Sequence, residues 1–467
     1  MENKGLIIEH RIPLSLLLLA TIVFLVNQLP FLEDMRPVMY DEAWYGDTAY
    51  NIVSGNGFSN TIVGKGGNAN FLLPLLTSGF MLVFGYNLLA IRLAAVFCGA
   101  MTIAFVVLSM KRLQIGWKPQ ALTLLLFVSL TIYNTVFRFG RPECIALMFM
   151  AGGMWFYFRY RDDANWKNMM GLSLFAFLAG CSHPFALFMF ALIGSGMLLR
   201  AITEKKTRIV MHLLALLSMA VFCIFLIIMI SKQYSAAGGG AGVFSRFSVK
   251  EARTASVFYF KEAFLSKSAL YMIPLLAVLV YEACFDKRNR ELAIIALIHF
   301  LLFPFLFSTD LMMVGLGQDY VAFAATVLVA PFMTKLMEYK RKWVIVAYVA
   351  YCLSCLGISY YYNYGVKYEK ANSVLAEELP KVIPENSRVF GPIRQWPMLM
   401  ETNYQSEHTV LPIGSVESYD YVILNSQDIV YYSSYDAFLP IDESKLELVY
   451  EKPTRQYGMV QVFKTKH

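Results

Sequence analysis

The sequence predicts a mainly α-helical protein, a polytopic transmembrane helical bundle with a small C-terminal α/β domain. Of its 467 residues, 57% are hydrophobic and only 16% are charged, whereas soluble domains are about 45–50% apolar and about 25% charged. The apolar residues form blocks of roughly 15–23 residues with few charges, the length that a helix needs to cross a bilayer. Basic residues cluster between these blocks, as in cytoplasmic loops, so the net charge of +7 does not indicate a nucleic-acid partner.

The first apolar block, 13–30, follows two basic residues and is similar to a secretion signal. It has no small-residue cleavage site before Pro30, and further apolar blocks follow, so we predict an uncleaved first helix. The 7 cysteines lie in or beside apolar blocks. This placement is typical of small apolar side chains within a bundle rather than of disulfides or metal ligands.

The apolar blocks determine the predicted topology, and they lie near 13–30, 71–84, 89–110, 119–137, 143–158, 168–182, 185–199, 209–230, 268–285, 291–307, 319–337 and 343–360. The block at 71–84 is short and contains Pro74 and Gly79. If it does not cross, the loops on one side carry roughly twice as many basic residues as the opposite loops, as the positive-inside rule requires. We therefore predict about eleven spans with a cytoplasmic N-terminus, and a re-entrant or surface-lying helix at 71–84.

The chain is predicted to divide into a transmembrane domain at 1–363 and an extracytoplasmic α/β domain at 364–467. The transmembrane domain has two large outer loops, at 30–91 and 231–267. In the second domain, 373–379 has a helical pattern, and four stretches alternate like strands: 388–390, 419–424, 446–450 and 459–463.

The first outer loop contains Asp41 and Glu42 at the start of a predicted amphipathic surface helix that runs to about Val53. A carboxylate at a partly buried rim can act as a general base, because burial raises its pKa. Alternatively, Asp41 is only the helix N-cap and Glu42 only favours the helix dipole. Adjacent helix positions point in different directions, so one of the two carboxylates is expected to face the site, and the pattern leaves open which one.

A second cluster lies at the outer end of the third predicted span, where Arg138 and Arg141 precede Pro142 and Glu143. Two guanidinium groups at this rim suit bidentate contacts to a phosphate. They equally suit contacts to membrane lipid headgroups. Glu143 opens the following helix, where it either caps that helix or takes part in the site.

Four further residues at the outer face are candidate substrate or phosphate ligands: Lys65, His183, Asp319 and Tyr320. Three of them also have a structural interpretation without any ligand. Lys65 can be a solvated loop charge, His183 a hydrogen-bonded turn residue and Asp319 a helix cap. Together the outer loops place carboxylates and cations at one membrane face, which suits activation of a hydroxyl while a phosphate leaves. No cofactor is indicated with certainty; a divalent metal fits this chemistry, although no tight ligand motif is present.

Five short motifs resemble the GT-C superfamily of membrane glycosyltransferases, and more narrowly the bacterial relatives of protein O-mannosyltransferases and of the lipid A aminoarabinose transferase. They are 41–45 (DEAWY), 54–58 (SGNGF), 84–85 (FG), 91–93 (IRL) and 138–143 (RFGRPE). The chain departs from relatives at 68–71 (NANF), where they carry Glu-Lys-Pro-Pro, and at Asp319, where they often carry arginine.

The resemblance implies an inverting transferase that moves a hexosyl or pentosyl group from a polyprenyl-phosphate-linked donor to a hydroxyl of a glycan, lipid or protein, at the outer face of the cell membrane. It implies that Asp41 is the base, that Glu143 matches the acid of the family's Arg-Pro-acid motif, and that nearby arginines contact the lipid phosphate. The alternatives are a transporter or flippase and a catalytically inactive assembly partner in cell-envelope glycan synthesis. Few charges within the spans and no repeated half disfavour the transporter.

Overall fold

A computed structural model describes residues 2–34, 36–62, 65–66, 71–203, 209–210, 217, 249–266, 268–306, 311–361, 370–406, 416–426 and 443–466. Nearly all of the predicted span at 209–230, the first half of the predicted outer loop at 231–267 and the predicted domain boundary at 363–364 lie outside these residues. The described part is a helical bundle joined to a small C-terminal sheet.

In chain order the helices are α1 (Glu2–Gln28), α2 (Tyr40–Val53), α3 (Leu72–Phe84), α4 (Leu88–Arg112), α5 (Trp117–Ser129), α6 (Thr131–Val136), α7 (Pro142–Asp162), α8 (Trp166–Ser182), α9 (Pro184–Thr203), α10 (Val249–Leu265), α11 (Ala269–Phe285), α12 (Arg290–Leu306), α13 (Leu311–Glu338), α14 (Lys342–Tyr360) and α15 (Ala371–Val382). All apolar blocks predicted as spans, apart from the one at 209–230, coincide with these helices. The block at 119–137 is divided into α5 and α6, because the backbone of Leu130 is extended.

By length and composition alone, three described helices could cross a membrane: Leu88–Arg112, Gln318–Glu338 and Lys342–Tyr360. A fourth is added if Ser256–Leu265 and Ala269–Phe285, which meet at 97°, form one broken span. Helix α3 belongs to the shorter apolar helices, together with Leu14–Gln28 and Met189–Leu199. The number of spans and the lie of α3 remain predictions.

Two glycines let neighbouring elements approach α4 closely. A Cβ on Gly99 would lie 2.3 Å from Cζ of Phe24, and one on Gly140 would lie 2.3 Å from Cγ2 of Ile91. Both distances are far below van der Waals contact, so only glycine fits at these backbone positions. Gly140 thereby brings the loop between α6 and α7 against the first turn of α4.

The C-terminal domain contains α15 and a five-stranded sheet of β3 (Arg388–Gly391), β4 (Asn403–Ser406), β5 (Tyr421–Asn425), β6 (Leu446–Thr454) and β7 (Gly458–Thr465). The strand order is β4-β3-β5-β7-β6. Strand β3 is parallel to β4 and β5, whereas β7 is antiparallel to β5 and β6. The predicted helix at 373–379 and the four predicted strands are confirmed.

The sequence did not predict β4 or a small hairpin of β1 (Ser59–Asn60) and β2 (Lys65–Gly66) in the first outer loop. Strand β4 is short and mostly polar, with Tyr404 and Ser406 buried. It therefore lacks the run of apolar or β-branched residues by which a strand is recognised.

The core of the C-terminal domain continues into the segment predicted as the first outer loop. Leu375 and Trp396 of the C-terminal domain belong to one buried cluster with residues of the N-terminal part of the chain. These are Ala43 of α2, Ile62, which follows β1, and Ile91 of α4. Helix α2 is therefore packed between the bundle and the C-terminal domain. This placement makes α2 more buried than the predicted surface helix.

Candidate active site

Helix α2 carries the two adjacent carboxylates. It begins at Tyr40, with Met39 in the cap position, and ends at Val53, where Gly55 has a φ of +81°. Asp41 therefore lies inside the first turn, so its interpretation as the N-cap is wrong. The backbone N–H of Met39 donates to Oε2 of Glu42 at 2.8 Å, so Glu42 secures the start of the helix.

Glu42 forms a fully buried ion pair with Arg92 of α4. The guanidinium donates from Nε to Oε1 at 2.8 Å and from Nη2 to Oε2 at 2.9 Å, and neither side chain is exposed. Oε1 also accepts from the backbone N–H of Gly140 at 3.3 Å. A carboxylate whose two oxygens are occupied by these donors has no free position for an acceptor hydroxyl. These contacts place Glu42 in the framework that joins α2 to α4, and its catalytic role stays a prediction.

Asp41 points to another side of the same helix, where it meets Arg141. Nε of Arg141 donates to Oδ2 of Asp41 at 2.9 Å, and Nη2 of Arg141 donates to Oε1 of Glu143 at 3.4 Å. The side chain of Asp41 is 31% exposed and that of Glu143 is 4% exposed. One guanidinium group thus joins the start of α2 to the start of α7, as the predicted convergence requires. Burial raises the pKa of the Asp41 carboxyl, although the charge of Arg141 opposes that rise.

His183 ends α8 beside this cluster, with Nε2 at 4.0 Å from Oε1 of Glu143. Burial, and secondly the positive charge of Arg141, lower the pKa of His183 to about 3. The imidazole is therefore neutral near pH 7 and cannot hold a phosphate as a cation. A neutral ring still has one N–H that can donate to an oxygen.

Arg138 faces away from the cluster. Its guanidinium donates to the backbone oxygens of Asn27 at 3.1 Å and Pro30 at 2.7 Å, and the residue is 3% exposed. Arg138 thus ties the loop before α7 to the end of α1. The structure brings Arg141, and not Arg138, to the position where the sequence predicts phosphate contacts.

Asp319 and Tyr320 lie on α13. This helix begins at Leu311, so Asp319 is in its interior and the interpretation as a helix cap is wrong. Asp319 is 6% exposed. The hydroxyl of Tyr320 is buried and has no hydrogen-bond partner within the described ranges, and its ring centroid is 6.3 Å from that of His183.

A cavity of about 880 Å³ joins Asp319 to the Arg141 cluster. Arg141, Glu143 and Asp319 supply charged groups to its wall, while most of the remaining wall is apolar and comes from α6, α11, α14 and neighbouring residues, including Ile132, Val136, Leu270, Ile358 and Tyr361. The hydroxyl of Tyr351 donates to the backbone oxygen of Leu270 at 2.7 Å, which holds α14 against α11 beside the cavity.

Two predicted elements of the site lie outside this description. Lys65 belongs to β2, but its side chain is outside the described residues, as is much of the predicted loop at 231–267. In the part of the chain that is described, no group of three or more His, Cys, Asp or Glu side chains is arranged to hold a metal ion.

Arg92 and Asp47 were not predicted as parts of the site's framework. Arg92 has a recognisable signal, because a charged residue within an apolar helix generally faces the interior and has a partner. Asp47 accepts from the backbone N–H of Thr61 at 2.6 Å and from its hydroxyl at 2.8 Å, which fixes the β1 strand to α2. Burial raises the pKa of Asp47 to about 6. Its spacing from Thr61 carries no sequence signal.

Comparison with known proteins agrees with this architecture. Residues 69–228 match the family model described as dolichyl-phosphate-mannose-protein mannosyltransferase. The crystal structure of ArnT from Cupriavidus metallidurans bound to undecaprenyl phosphate is 13% identical, with a TM-score of 0.65 over 96% of this chain and 97% of that chain. The apo state of the same ArnT is 14% identical, with a TM-score of 0.62 over 99% and 98%.

No curated protein is similar enough to this chain to count as a sequence match. The likeness is therefore to the fold over nearly the whole chain and to the family model over residues 69–228 alone. The chain thus shares the fold of ArnT over nearly its whole length, and residues 69–228 are similar to the protein mannosyltransferase family model.

Proposed function

We propose that this chain is a membrane glycosyltransferase that moves a sugar from a polyprenyl-phosphate-linked donor to a hydroxyl of a glycan, lipid or protein. The observation that carries the proposal is the cavity whose wall is mostly apolar and also contains Arg141, Glu143 and Asp319. A prenyl chain suits the apolar wall, and a phosphate suits a guanidinium that presents several N–H donors. The ArnT structure of the same fold, which holds undecaprenyl phosphate, supports this assignment.

In the proposed reaction, Asp41 accepts the proton of the acceptor hydroxyl as its oxygen attacks the anomeric carbon. The bond between that carbon and the phosphate oxygen breaks, the electron pair leaves with the polyprenyl phosphate, and the configuration inverts. Arg141 stabilises the leaving phosphate by charge. Asp41 is the base in this proposal because it is partly exposed beside Arg141, whereas Glu42 is closed off by Arg92.

Arg141 also couples the binding of the donor phosphate to proton transfer by Asp41. Its guanidinium bonds Asp41 in the present structure, and a donor phosphate would compete for the same N–H groups. As the phosphate draws the guanidinium away, Asp41 loses an opposite charge and its pKa rises, so it becomes a stronger base. The proposal therefore orders the steps: the donor binds first, and the base then accepts a proton.

We also propose that this chemistry takes place on the outer face of the membrane, with the N-terminus in the cytoplasm. The bias of basic residues between the apolar blocks supports this orientation. The same proposal places the C-terminal domain, which packs on α2, outside the cell membrane.

Replacing Arg141 with glutamine tests the assignment of the donor site. Loss of charge-assisted hydrogen bonds to phosphate is expected to raise the Kd for undecaprenyl phosphate by about tenfold or more. Binding can be measured with the purified protein in nanodiscs, as the ligand-dependent rise of the unfolding temperature across a concentration series. The matched control is Arg388→Gln in the exposed Arg388–Asp420 pair of the C-terminal domain. Equal affinity of wild type and R141Q would contradict the proposed phosphate site.

The pH dependence of kcat/KM tests Asp41 as the base. The ionised form is active, so the rate is expected to fall as pH drops through the pKa of Asp41. Because burial raises that pKa above its usual value of 3.8, the bend should lie above pH 3.8. R141Q should move the bend to still higher pH, since the guanidinium charge lowers the pKa of Asp41. An unchanged bend in R141Q would show that the group that titrates is not Asp41 beside Arg141.

A further inference from the structure

The segment that leads into α2, residues 29–34 and 36–39, is held from two sides; it is called the entry segment below. From the bundle, Nη1 of Arg92 donates to the backbone oxygens of Leu32 at 2.7 Å and Glu33 at 2.9 Å. From the C-terminal domain, Nδ2 of Asn372 donates to the backbone oxygens of Glu33 at 2.6 Å and Arg36 at 2.9 Å. The carbonyl of Glu33 therefore accepts hydrogen bonds from both domains, which makes it a point of attachment between them.

Tyr457 extends this attachment toward α2. Its hydroxyl donates to Oδ1 of Asn372 at 2.6 Å and accepts from the backbone N–H of Val38 at 2.9 Å. The turn between β6 and β7 presents the ring, with Gly458 at a φ of +69° and the N–H of Tyr457 bonded to Oγ1 of Thr454 at 3.0 Å. Burial raises the pKa of Tyr457, so the hydroxyl keeps its proton and can act as a donor.

These contacts fix the backbone immediately before Asp41. The N–H of Val38 is bound by Tyr457, and the next N–H, that of Met39, is bound by Glu42. The middle of α2 is held as well, because a Cβ on Gly46 would lie 2.6 Å from Cδ1 of Ile91 and 3.0 Å from the Trp396 ring. The C-terminal domain thus contacts α2 at its start and along its length.

We propose that the C-terminal domain positions α2 for proton transfer, and that Tyr457 and Asn372 are positioning residues for Asp41. The inference rests on the proposed function and adds a role for the C-terminal domain. Both residues act through the backbone of the entry segment and do not contact substrate. None of the described residues that line the cavity belongs to the C-terminal domain, so this domain contacts the helix of the base and not the donor cavity.

Tyr457→Phe is the test, because it removes the hydroxyl and keeps the ring. We expect kcat to fall by about tenfold to a hundredfold, since small displacements of a catalytic group have effects of that size. The KM for the donor should change by less than about threefold. Hydrogen–deuterium exchange of the full-length protein in nanodiscs should show faster exchange in peptides that cover the entry segment. Asn372→Ala should produce the same pattern.

The matched control is Tyr450→Phe. Tyr450 lies on β6, and its hydroxyl donates to Glu378 of α15 at 2.6 Å, so this variant loses a similar bond within the C-terminal domain alone. Its kcat and the exchange of the entry segment should match wild type. The positioning role is overturned if Y457F matches wild type in both readouts, or if Y450F loses as much kcat as Y457F. If wild type transfers no sugar, the proposed function fails, and the exchange difference alone decides whether Tyr457 fixes the entry segment.

Discussion

Asp41→Asn is expected to lower kcat by about 10²–10⁴-fold, the range that a general base typically contributes. Asparagine keeps the size of the side chain and can still accept a hydrogen bond from Arg141, but it cannot take up the proton of the acceptor hydroxyl at neutral pH. The measurement is sugar transfer by protein in proteoliposomes, with polyprenyl-phosphate-linked sugars extracted from host membranes as donors. Undecaprenyl phosphate should still bind, because the cavity wall is unchanged.

The matched control for this prediction is Asp420→Asn. Asp420 also pairs with an arginine, Arg388, but the pair is exposed in the C-terminal domain, so transfer should stay at the wild-type rate. The result also separates the alternative functions. A transporter of lipid-linked sugars would move its substrate without forming a glycosidic bond, and an inactive assembly partner would tolerate D41N. Full transfer activity in D41N would remove Asp41 from the proposed mechanism.

The convergence of Asp41, Arg141 and Glu143 could be predicted from the sequence, because Asp41 lies in the loop after the first apolar block and the other two lie where the blocks at 119–137 and 143–158 meet, and the charge bias assigns both places to the same membrane face. Blocks and charge bias determine which ends share a membrane face, and that level of description does not need side-chain directions. The helices of the bundle were predictable for the same reason. In the C-terminal domain, four of the five strands have a strand-like sequence by which they can be recognised.

The division of roles within each cluster could not be predicted. Asp41 and Glu42 are neighbours, and successive side chains on a helix point about 100° apart around its axis. A shift of the helix by one residue would therefore turn one of the two carboxylates to the direction in which the other now points. Only the observed start at Tyr40 turns Glu42 to Arg92 and Asp41 to Arg141. Sequence patterns carry no comparable information about long-range pairs, such as that between Tyr457 and the N–H of Val38.

Arg92→Met is expected to cause the largest loss of stability among these variants, about 3–5 kcal/mol. Arg92 and Glu42 are both fully buried, so removal of the guanidinium leaves a carboxylate in the interior without its counter-charge. The backbone oxygens of Leu32 and Glu33 lose a donor as well. The free energy of unfolding can be measured by titration with sodium dodecyl sulfate in mixed micelles, with helical circular dichroism as the signal.

A second variant, Arg92→Met combined with Glu42→Gln, identifies the source of that loss. Glutamine has no charge and keeps one oxygen, which can accept from one of the two N–H groups, those of Met39 and Gly140, that bond to separate oxygens of Glu42 in wild type. If the uncompensated charge dominates, the double variant should recover much of the stability that Arg92→Met loses. If it recovers nothing, the loss comes from the freed carbonyls of the entry segment. Arg388→Met in the exposed pair is the control, and it should unfold like wild type because solvent already screens that pair.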